Sequence, residues 1–265
     1  MEAILTIAAV ALYLTAVGLL VRSLTRSPGR TNRSWQIPAA AATTLHIVYH
    51  FWIAWKTPGG VDLHFFSALS LISAAIAAMT TIVGARGRMA ALGVVVFPLA
   101  AITLGIYHLH GHAPSPQLDW RLQLHAWLAL LAYATLGIAA LLAVMLWAQE
   151  RALRQHHFHH WLRALPPLTE LESLLFHTIL AGFILLTLTL LTGMLFVEDL
   201  FDQHLVHKTV LSVMSWLVFG GLLIGRWRYG WRGAKAVRWT LTAMLLLVLA
   251  FFGSKFVLEL VLKRH

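Results

Sequence analysis

The sequence predicts an all-α, polytopic integral membrane protein with eight transmembrane helices in one bundle. Hydrophobic residues make up 59% of the 265-residue chain and charged residues only 11%, whereas soluble domains carry roughly 25% charged residues. Apolar stretches also recur along the chain at lengths near the roughly 20 residues that cross a bilayer. The loops between these stretches are short, so we expect residues 1–265 to form a single transmembrane domain.

Eight apolar stretches are long enough to serve as membrane spans. They cover residues 3–21, 37–55, 66–84, 90–108, 122–148, 172–197, 206–225 and 238–258. The first stretch follows Glu2 and precedes Arg22. This charge order is the reverse of the order in a signal peptide, so we expect the first span to be kept as a helix.

The connection between the fifth and sixth spans contains a helix break and a helix start. Pro166 and Pro167 interrupt the basic continuation of the fifth span, because proline removes a backbone donor and clashes with the preceding turn. Thr169 and Glu172 follow with the spacing of a capping box. This spacing predicts that the sixth helix begins near Thr169.

Basic residues lie in alternate loops, and this alternation predicts the orientation of the chain. One set of loops carries the basic residues Arg22, Arg26, Arg30, Arg33, Arg86, Arg88, Arg151, Arg154, Arg163, Arg226, Arg228, Arg232 and Lys235. The other set carries only Lys56 and Arg121 before a last, acidic loop at 198–202. Because cytoplasmic loops hold the excess of Lys and Arg, we expect both termini outside the cytoplasm. The net charge of +10 lies in membrane loops, so we expect contact with membrane lipid and not with nucleic acid.

Histidines gather at the span ends that this orientation places outside. Nine of the fifteen do so: His46, His50, His64, His108, His110, His112, His125, His204 and His207. An imidazole is costly to bury in a bilayer, so the cluster indicates a functional site. Cysteine is absent, which excludes thiolate metal sites and covalent c-type haem. The spans offer almost no acidic residue besides Glu259, which disfavours zinc and a transporter that uses buried carboxylates. We therefore expect non-covalent haem b.

Two histidines begin spans on the outer side and are candidate ligands of one haem iron. His125 opens the fifth span and His207 opens the seventh. Facing helices of a bundle can bring two imidazoles to opposite faces of a porphyrin, so we expect a bis-His haem at the outer face. The alternative for either residue is an interfacial histidine bonded to water or to a loop carbonyl.

Three histidines lie within spans. At a rise of about 1.5 Å per residue, His46 is expected near the bilayer midplane and His50 one turn nearer the outside. Both lie on one helix face, so at most one of them can bind a given haem. His46 is either a ligand of a second haem or a structural histidine bonded within the bundle. His177, in the sixth span, is either structural or a ligand of an inner haem.

The other histidines are expected to be solvated. We expect His108, His110 and His112 to lie in an outer loop and to bind a metal weakly at most. The run at 156–160 is expected to form a basic loop at the inner interface. The cations that are candidates to bind haem propionates are Arg121, Lys208 and Lys255. Lys255 can instead pair with Glu259.

Several longer stretches carry a resemblance to a known family. They are LHAWLALLAYATLGIAALLAVMLWAQERALR at 124–154, PPLTELESLLFHTILAGFILLTLTLLTG at 166–193, HKTVLSVMSWLVFGGLLIGRWRYGWRGAKA at 207–236 and FFGSKFV at 251–257. This pattern resembles the cytochrome c assembly protein family, in its HemX-like or YpjD-type branch, which is related to the CcsA and CcmC haem-handling proteins. The resemblance implies a bacterial inner membrane protein that handles, relays or stores haem during the biogenesis of cytochrome c or other haem proteins. The partner it implies is another membrane or periplasmic haem protein.

The resemblance also implies which residues bind haem. It assigns the outer ligands to His125 and His207, His46 to a second-span position, and His177 to the Phe-His pair that enters the sixth span. Haem-presenting members of the family carry a tryptophan-rich WWD segment, and this chain has none. We therefore expect haem binding without lyase activity. The alternatives are a b-type transmembrane electron carrier and, less favoured, a metal or small-solute transporter.

The charge pattern predicts a topology that reporter fusions can test. We expect fusions at residue 160 to report the cytoplasmic side and fusions at both termini to report the periplasmic side. A periplasmic signal at residue 160 would contradict the orientation on which the assignment of the outer histidines depends.

Overall fold

The computed structural model describes residues 1–26, 33–57, 60–84, 88–112, 119–155, 166–196, 203–253 and 256. Within these residues the protein is all-helical and contains no strand. In chain order the helices are α1 (Glu2–Arg26), α2 (Gln36–Lys56), α3 (Phe65–Gly84), α4 (Gly93–His110), α5 (Trp120–Arg154), α6 (Leu168–Phe196), α7 (Gln203–Tyr229) and α8 (Gly233–Val248). A π-helical turn, Leu249–Gly253, continues α8.

All eight helices are long and apolar enough to cross a membrane, so the predicted fold class and the eight predicted spans are confirmed. Most of the helices extend beyond the predicted bounds, and the largest extensions are at α5, which continues to Arg154, and α7, which continues to Tyr229. Hydropathy marks where the apolar residues stop, whereas backbone hydrogen bonding lets a helix continue into the polar interface.

The helices form two compact units, unit 1 with α1–α4 and unit 2 with α5–α8. In unit 1, α1 packs against α2 and α4, and α3 packs against the same two helices. In unit 2, α5 packs against α6 and α8, and α7 packs against the same two. Each unit is therefore a ring of four helices. The single domain expected from the short loops stays a prediction.

In unit 1, small residues where helices meet leave room for large aromatic side chains. Ala9, Ala39 and Ala77 are fully buried, as expected where helices approach closely without a hydrophobic driving force. The largest aromatic side chains that this unit buries completely are Trp35, Tyr13, Tyr49, Tyr107 and Phe97. The three tyrosines bring hydroxyl groups into the interior, and these need partners because no water reaches them.

In unit 2, a tyrosine hydroxyl binds a backbone carbonyl at the point where α8 changes to a π-helical turn. The hydroxyl of Tyr133, on α5, donates to the carbonyl of Leu247 at 2.5 Å. Leu247 lies just before the π-helical turn, where carbonyl groups lose their regular partners. The contact therefore ties α5 to α8 at the one irregular point of that helix.

Glu172 does not form the capping box that we expect at the start of α6. The helix begins at Leu168, and the Glu172 carboxylate accepts from the Gly233 N–H at 2.9 Å and pairs with the Arg232 Nε at 3.2 Å. Glu172 thus caps the start of α8, since a carboxylate is favoured beside the free amides of a helix N-terminus. Local spacing could not reveal a partner that is distant in sequence.

Close packing of α5 on α6 generates a stability prediction. A Cβ added at Gly182 would lie 2.5 Å from Cδ2 of Leu136, and Leu136 is fully buried. We expect Gly182→Ala to lower the free energy of unfolding by about 1–3 kcal/mol through overpacking, measured by thermal unfolding in detergent with circular dichroism.

The matched control is Gly105→Ala in α4, where a Cβ would meet no atom within 4 Å. It should be neutral or stabilise the protein by roughly 0.5–1 kcal/mol, since alanine favours the helix. Equal unfolding midpoints for the two variants would contradict the packing argument.

Candidate functional site

The histidines of the described residues form a separate group in each unit. Unit 1 holds His46, His50, His64, His108, His110 and His112, and unit 2 holds His125, His177 and His207. The run at 156–160 and the Lys255–Glu259 pair lie outside the described residues, as does the side chain of His204.

His46 lies fully buried at the centre of α2, which runs from 36 to 56. Its Nδ1 lies 3.3 Å from the hydroxyl of Tyr13 on α1, and its Nε2 lies 2.8 Å from Oγ of Ser70 on α3. Both ring nitrogens are therefore engaged by neighbouring helices. A haem iron could bind His46 only if one of these hydrogen bonds were released.

His50 shares the same serine. Its Nε2 lies 3.0 Å from Ser70 Oγ, so one hydroxyl bridges two imidazoles. The rings of His46 and His50 stack with centroids 5.5 Å apart, as their common helix face predicts. On its other side His50 stacks on Tyr107 of α4, with centroids 4.9 Å apart and ring planes 8° from parallel. All four helices of unit 1 thus contribute to this bonded cluster.

Two histidines near the end of α4 meet at one tyrosine. The Tyr49 hydroxyl lies 3.0 Å from Nδ1 of His108 and 3.4 Å from Nε2 of His112. The helix continues through His110, and Gly111, with φ +76°, turns the chain so that His112 returns to the bundle. Burial lowers the pKa of His112 below its ordinary value.

The expectation of a solvated histidine loop is therefore wrong for His108 and His112. It fails because the aromatic ring of Tyr49 covers this end of α4, which the sequence of α4 alone does not reveal. His110 is exposed, yet its ring stacks on Phe66 with centroids 4.0 Å apart.

Asp62 is a buried carboxylate that sequence reasoning missed. It is 2% exposed, and its Oδ1 accepts from the His64 backbone N–H at 3.0 Å and lies 2.6 Å from His64 Nδ1. Tyr107 donates to its Oδ2 at 3.4 Å. The expectation of almost no acidic residue besides Glu259 concerned the membrane spans, so it does not cover Asp62. Asp62 precedes α3 and lies outside the apolar spans, but an Asp two residues before its own amide partner is the signature of an Asx-turn.

A further carboxylate joins the ends of α1 and α2. Glu2 Oε1 lies 3.1 Å from the Lys56 ammonium, and its Oε2 lies 3.8 Å from His112 Nε2. We call the end of unit 1 that carries Glu2, Lys56, Asp62 and His112 its polar end. His46 lies about half a helix length from it.

In unit 2, His125 on α5 is held in one tautomer by α6. Its Nδ1 lies 3.2 Å from Oγ1 of Thr192. The Thr192 hydroxyl donates to a carbonyl of its own helix, at 2.9 Å to Leu188 O or 3.0 Å to Thr189 O. With its proton on that carbonyl, Thr192 accepts from His125, whose own proton then lies on Nδ1. Nε2 then retains its lone pair.

The His125 ring also needs a glycine beside it. A Cβ at Gly193 would lie 3.1 Å from Cε1 of His125, which is tight for any larger residue. The bond to Thr192 and the contact with Gly193 together fix where the half-buried ring lies.

His207 lies exposed near the start of α7. The antiparallel succession of helices places the starts of α5 and α7 at the same end of unit 2 as the end of α6. His125 and His207 are therefore at one end, on two helices that both pack against α6 and α8. This is the arrangement that facing ligands require.

Three further residues are predicted to contact haem: Arg121, Lys208 and His177. The Arg121 guanidinium lies 5.7 Å from the ring centroid of Trp120 and 5.9 Å from that of Phe196, and it pairs with exposed Asp119 at 3.9 Å. Lys208 follows His207 and is half-buried. His177 is exposed on the opposite half of α6, with Nδ1 3.4 Å from Ser173 Oγ.

The donor chemistry of unit 2 fits haem better than a multi-ligand metal ion. A neutral imidazole with a hydrogen-bonded Nδ1–H and a free Nε2 is the form in which histidine binds iron, and His125 has this form. Within the described ranges, no group of three or more His, Cys, Asp or Glu side chains could hold a metal ion.

The chain is similar to several known proteins. The sequence profile of the Cytochrome C assembly protein family matches residues 35–262. Inner membrane protein YpjD of Escherichia coli strain K12 is 33% identical over 257 residues, which cover 94% of this chain and 95% of that protein. Protein HemX of Brevibacillus brevis is 25% identical over 131 residues, covering 49% of this chain and 48% of its own.

A shorter similarity joins this chain to a third protein. Cytochrome c biogenesis protein CcsA of Prochlorococcus marinus strain AS9601 is 30% identical over 89 residues, covering 33% of this chain and 29% of that protein. No solved structure matches the chain.

The buried carboxylate of unit 1 generates a further prediction. Asp62→Ala removes the acceptor that serves both His64 and Tyr107, so we expect a loss of about 1–3 kcal/mol of stability, measured as a lower thermal midpoint. Glu170→Ala removes an exposed carboxylate from the first turn of α6 and should cost under about 1 kcal/mol. If both variants unfold at the same temperature, the contacts of Asp62 do not stabilise unit 1.

Proposed function

The chain belongs to the cytochrome c assembly protein family, and on that premise we propose that it binds haem b non-covalently and receives, stores or relays it. The process it serves is the biogenesis of cytochrome c or of other haem proteins. Protein HemX and CcsA, which the chain resembles in part, support this process rather than a general electron-carrier role.

The observation that carries the proposal is the contact of His125 Nδ1 with Thr192 Oγ1 at 3.2 Å. Thr192 donates to its own helix, and when it accepts the Nδ1 proton of His125 the Nε2 lone pair would be available to hold the haem iron. By contrast, His46 has both nitrogens bonded to side chains of neighbouring helices. We therefore assign iron binding to His125 and a hydrogen-bonding role to His46.

His207 is the second proposed ligand. It begins α7 at the same end of unit 2, and its exposed ring is accessible to a haem that enters from outside the bundle. Together with His125 it would hold the iron through two imidazoles, which supply a strong ligand field. When bound, the haem supplies a redox-active iron and a strong absorption spectrum.

Cations near both ligands are suited to the haem propionates. Arg121 lies one helical turn before His125 and is exposed, so its guanidinium can move from Asp119 to a carboxylate of the cofactor. Lys208 follows His207 in sequence. His177 is on the other half of α6 and would bind iron only in a second, inner haem.

The sidedness of the site follows from the charge pattern. With both termini outside, the starts of α5 and α7 lie on the periplasmic side of a bacterial inner membrane. An inner membrane location is supported by the similarity to inner membrane protein YpjD of Escherichia coli. A periplasmic site suits exchange of haem with a membrane or periplasmic haem protein. Because the chain has no WWD segment, we propose no lyase activity.

Optical spectroscopy of the detergent-purified chain tests the ligands. The oxidised protein should show a low-spin spectrum. His125→Ala or His207→Ala should each give a high-spin or loosely bound haem, and the double variant should lose most of the haem. Replacing His156, His157, His159 and His160 together is the control and should leave haem content unchanged, since that run is expected at the opposite interface.

An unaltered low-spin spectrum in the double variant would refute the ligand pair. Transfer to apomyoglobin distinguishes haem handling from electron transfer. A handling protein should release its partly exposed haem within minutes, whereas a haem that stays bound through repeated redox cycles would favour an electron carrier.

A further inference from the structure

We propose that unit 1 contains a proton relay, formed by Tyr13, His46, Ser70 and His50, that carries a proton from its polar end to the centre of α2. The relay does not depend on haem, because its residues belong to unit 1 and the proposed iron ligands to unit 2. Its basis is the pattern of hydrogen bonds around one serine.

Ser70 links the two imidazoles through one hydroxyl. Its Oγ lies 2.8 Å from His46 Nε2 and 3.0 Å from His50 Nε2. A hydroxyl has one proton to donate and lone pairs with which to accept. In the relay, Ser70 donates to one ring and accepts from the other. One Nε2 then carries a proton and the other does not.

Tyr13 allows both of the resulting arrangements. Its hydroxyl lies 3.4 Å from Thr43 Oγ1 and 3.3 Å from His46 Nδ1. Thr43 donates its own proton to the Ala39 carbonyl at 2.8 Å, so it can accept from Tyr13. When Tyr13 donates to Thr43, His46 donates from Nδ1 to Tyr13. When Tyr13 donates to His46, the proton of His46 lies on Nε2.

The first arrangement is set up to conduct a proton inward. In it His50 carries its proton on Nε2 and His46 on Nδ1, and the Ser70 proton points to His46. A proton that binds to Nδ1 of His50 releases the Nε2 proton to Ser70 Oγ. The Ser70 hydroxyl passes its own proton to Nε2 of His46. His46 becomes an imidazolium that donates to Tyr13 and Ser70, His50 returns to neutral, and each step breaks one N–H or O–H bond and forms another.

Burial assigns the two ends of the relay. His50 retains 7% exposure whereas His46 has none, and His50 lies one turn nearer the polar end. Two aromatic rings face it there: Tyr49 of its own helix at its edge and Tyr107 of α4 on its face. Tyr107 in turn contacts the rings of His64 and His112 and donates to the carboxylate of Asp62. This carboxylate favours a positive charge on the way in.

The inner end of the relay is closed. Tyr13 stacks on Phe97 of α4, with ring centroids 5.9 Å apart, and both side chains are fully buried. Phe97 can neither donate nor accept a proton. The relay is therefore a branch that stores a proton near the middle of unit 1 and returns it to the same end.

Nitrogen-15 NMR can report which ring nitrogen of each histidine carries a proton. The sample is the full-length, histidine-labelled chain in lipid bilayers, and substitutions serve only to assign the signals. His46→Gln and His50→Gln identify the two sets of ring signals. We expect one Nδ1–H ring and one Nε2–H ring at neutral pH, and exchange of the His46 ring proton with D2O far faster than that of the buried amides of α2. Identical tautomers, or a His46 ring proton that exchanges as slowly as those amides, would overturn the proposal.

Substitution of the bridging hydroxyl tests the path. Ser70→Ala should slow exchange at His46 by about a hundredfold while leaving exchange at His50 fast. Ser70→Thr keeps the hydroxyl and should preserve the rate. Ser73→Ala is the matched control, because Ser73 is a buried serine one turn along the same helix whose hydroxyl contacts Thr103 at 2.5 Å. An unchanged His46 rate in Ser70→Ala would show that protons reach His46 by another route.

Discussion

The structure depends on one constraint, which is that a polar group inside a bilayer must find its partner within the protein. The threonine side chains show how the helices satisfy this constraint. The hydroxyls of Thr81, Thr135 and Thr178 donate to the carbonyl four residues earlier in their own helices, so they place no demand on a neighbour. This bonding leaves the oxygen lone pairs of a threonine directed away from its own backbone and free to accept.

Helix α6 uses those lone pairs to hold side chains of adjacent helices. Thr187 donates to the Phe183 carbonyl and accepts from the Trp216 indole N–H at 2.9 Å. Thr192 has the same relation to His125. A threonine fixed by its own backbone can only accept, and this decides which nitrogen of His125 keeps its proton. The tautomer proposed for His125 is thus a consequence of helix bonding on α6 rather than of the histidine itself.

The two units differ in how many nitrogens of a histidine ring their neighbouring helices bind. In unit 1, side chains of α1 and α3 bind both nitrogens of His46, so the ring closes a hydrogen-bonded chain and has no free lone pair. In unit 2, α6 binds one nitrogen of His125 and leaves the other open. The family similarity extends across both units, since the matched residues run from 35 to 262. We infer that cofactor binding and proton handling reside in different helix rings of one chain.

The sequence by itself determined the fold class, the eight spans and the common helix face of His46 and His50, because these depend on local hydropathy and on the fixed repeat of a helix. It also indicated the family. Only the tertiary structure decided which histidines are engaged: Ser70 between two rings, Tyr49 against His108, Thr192 beside His125 and Asp62 within the bundle. These partners lie on other elements, at sequence separations that neither periodicity nor hydropathy records. A histidine ring is identical in a ligand and in a structural role, so its function is set by which of its two nitrogens a neighbouring helix occupies.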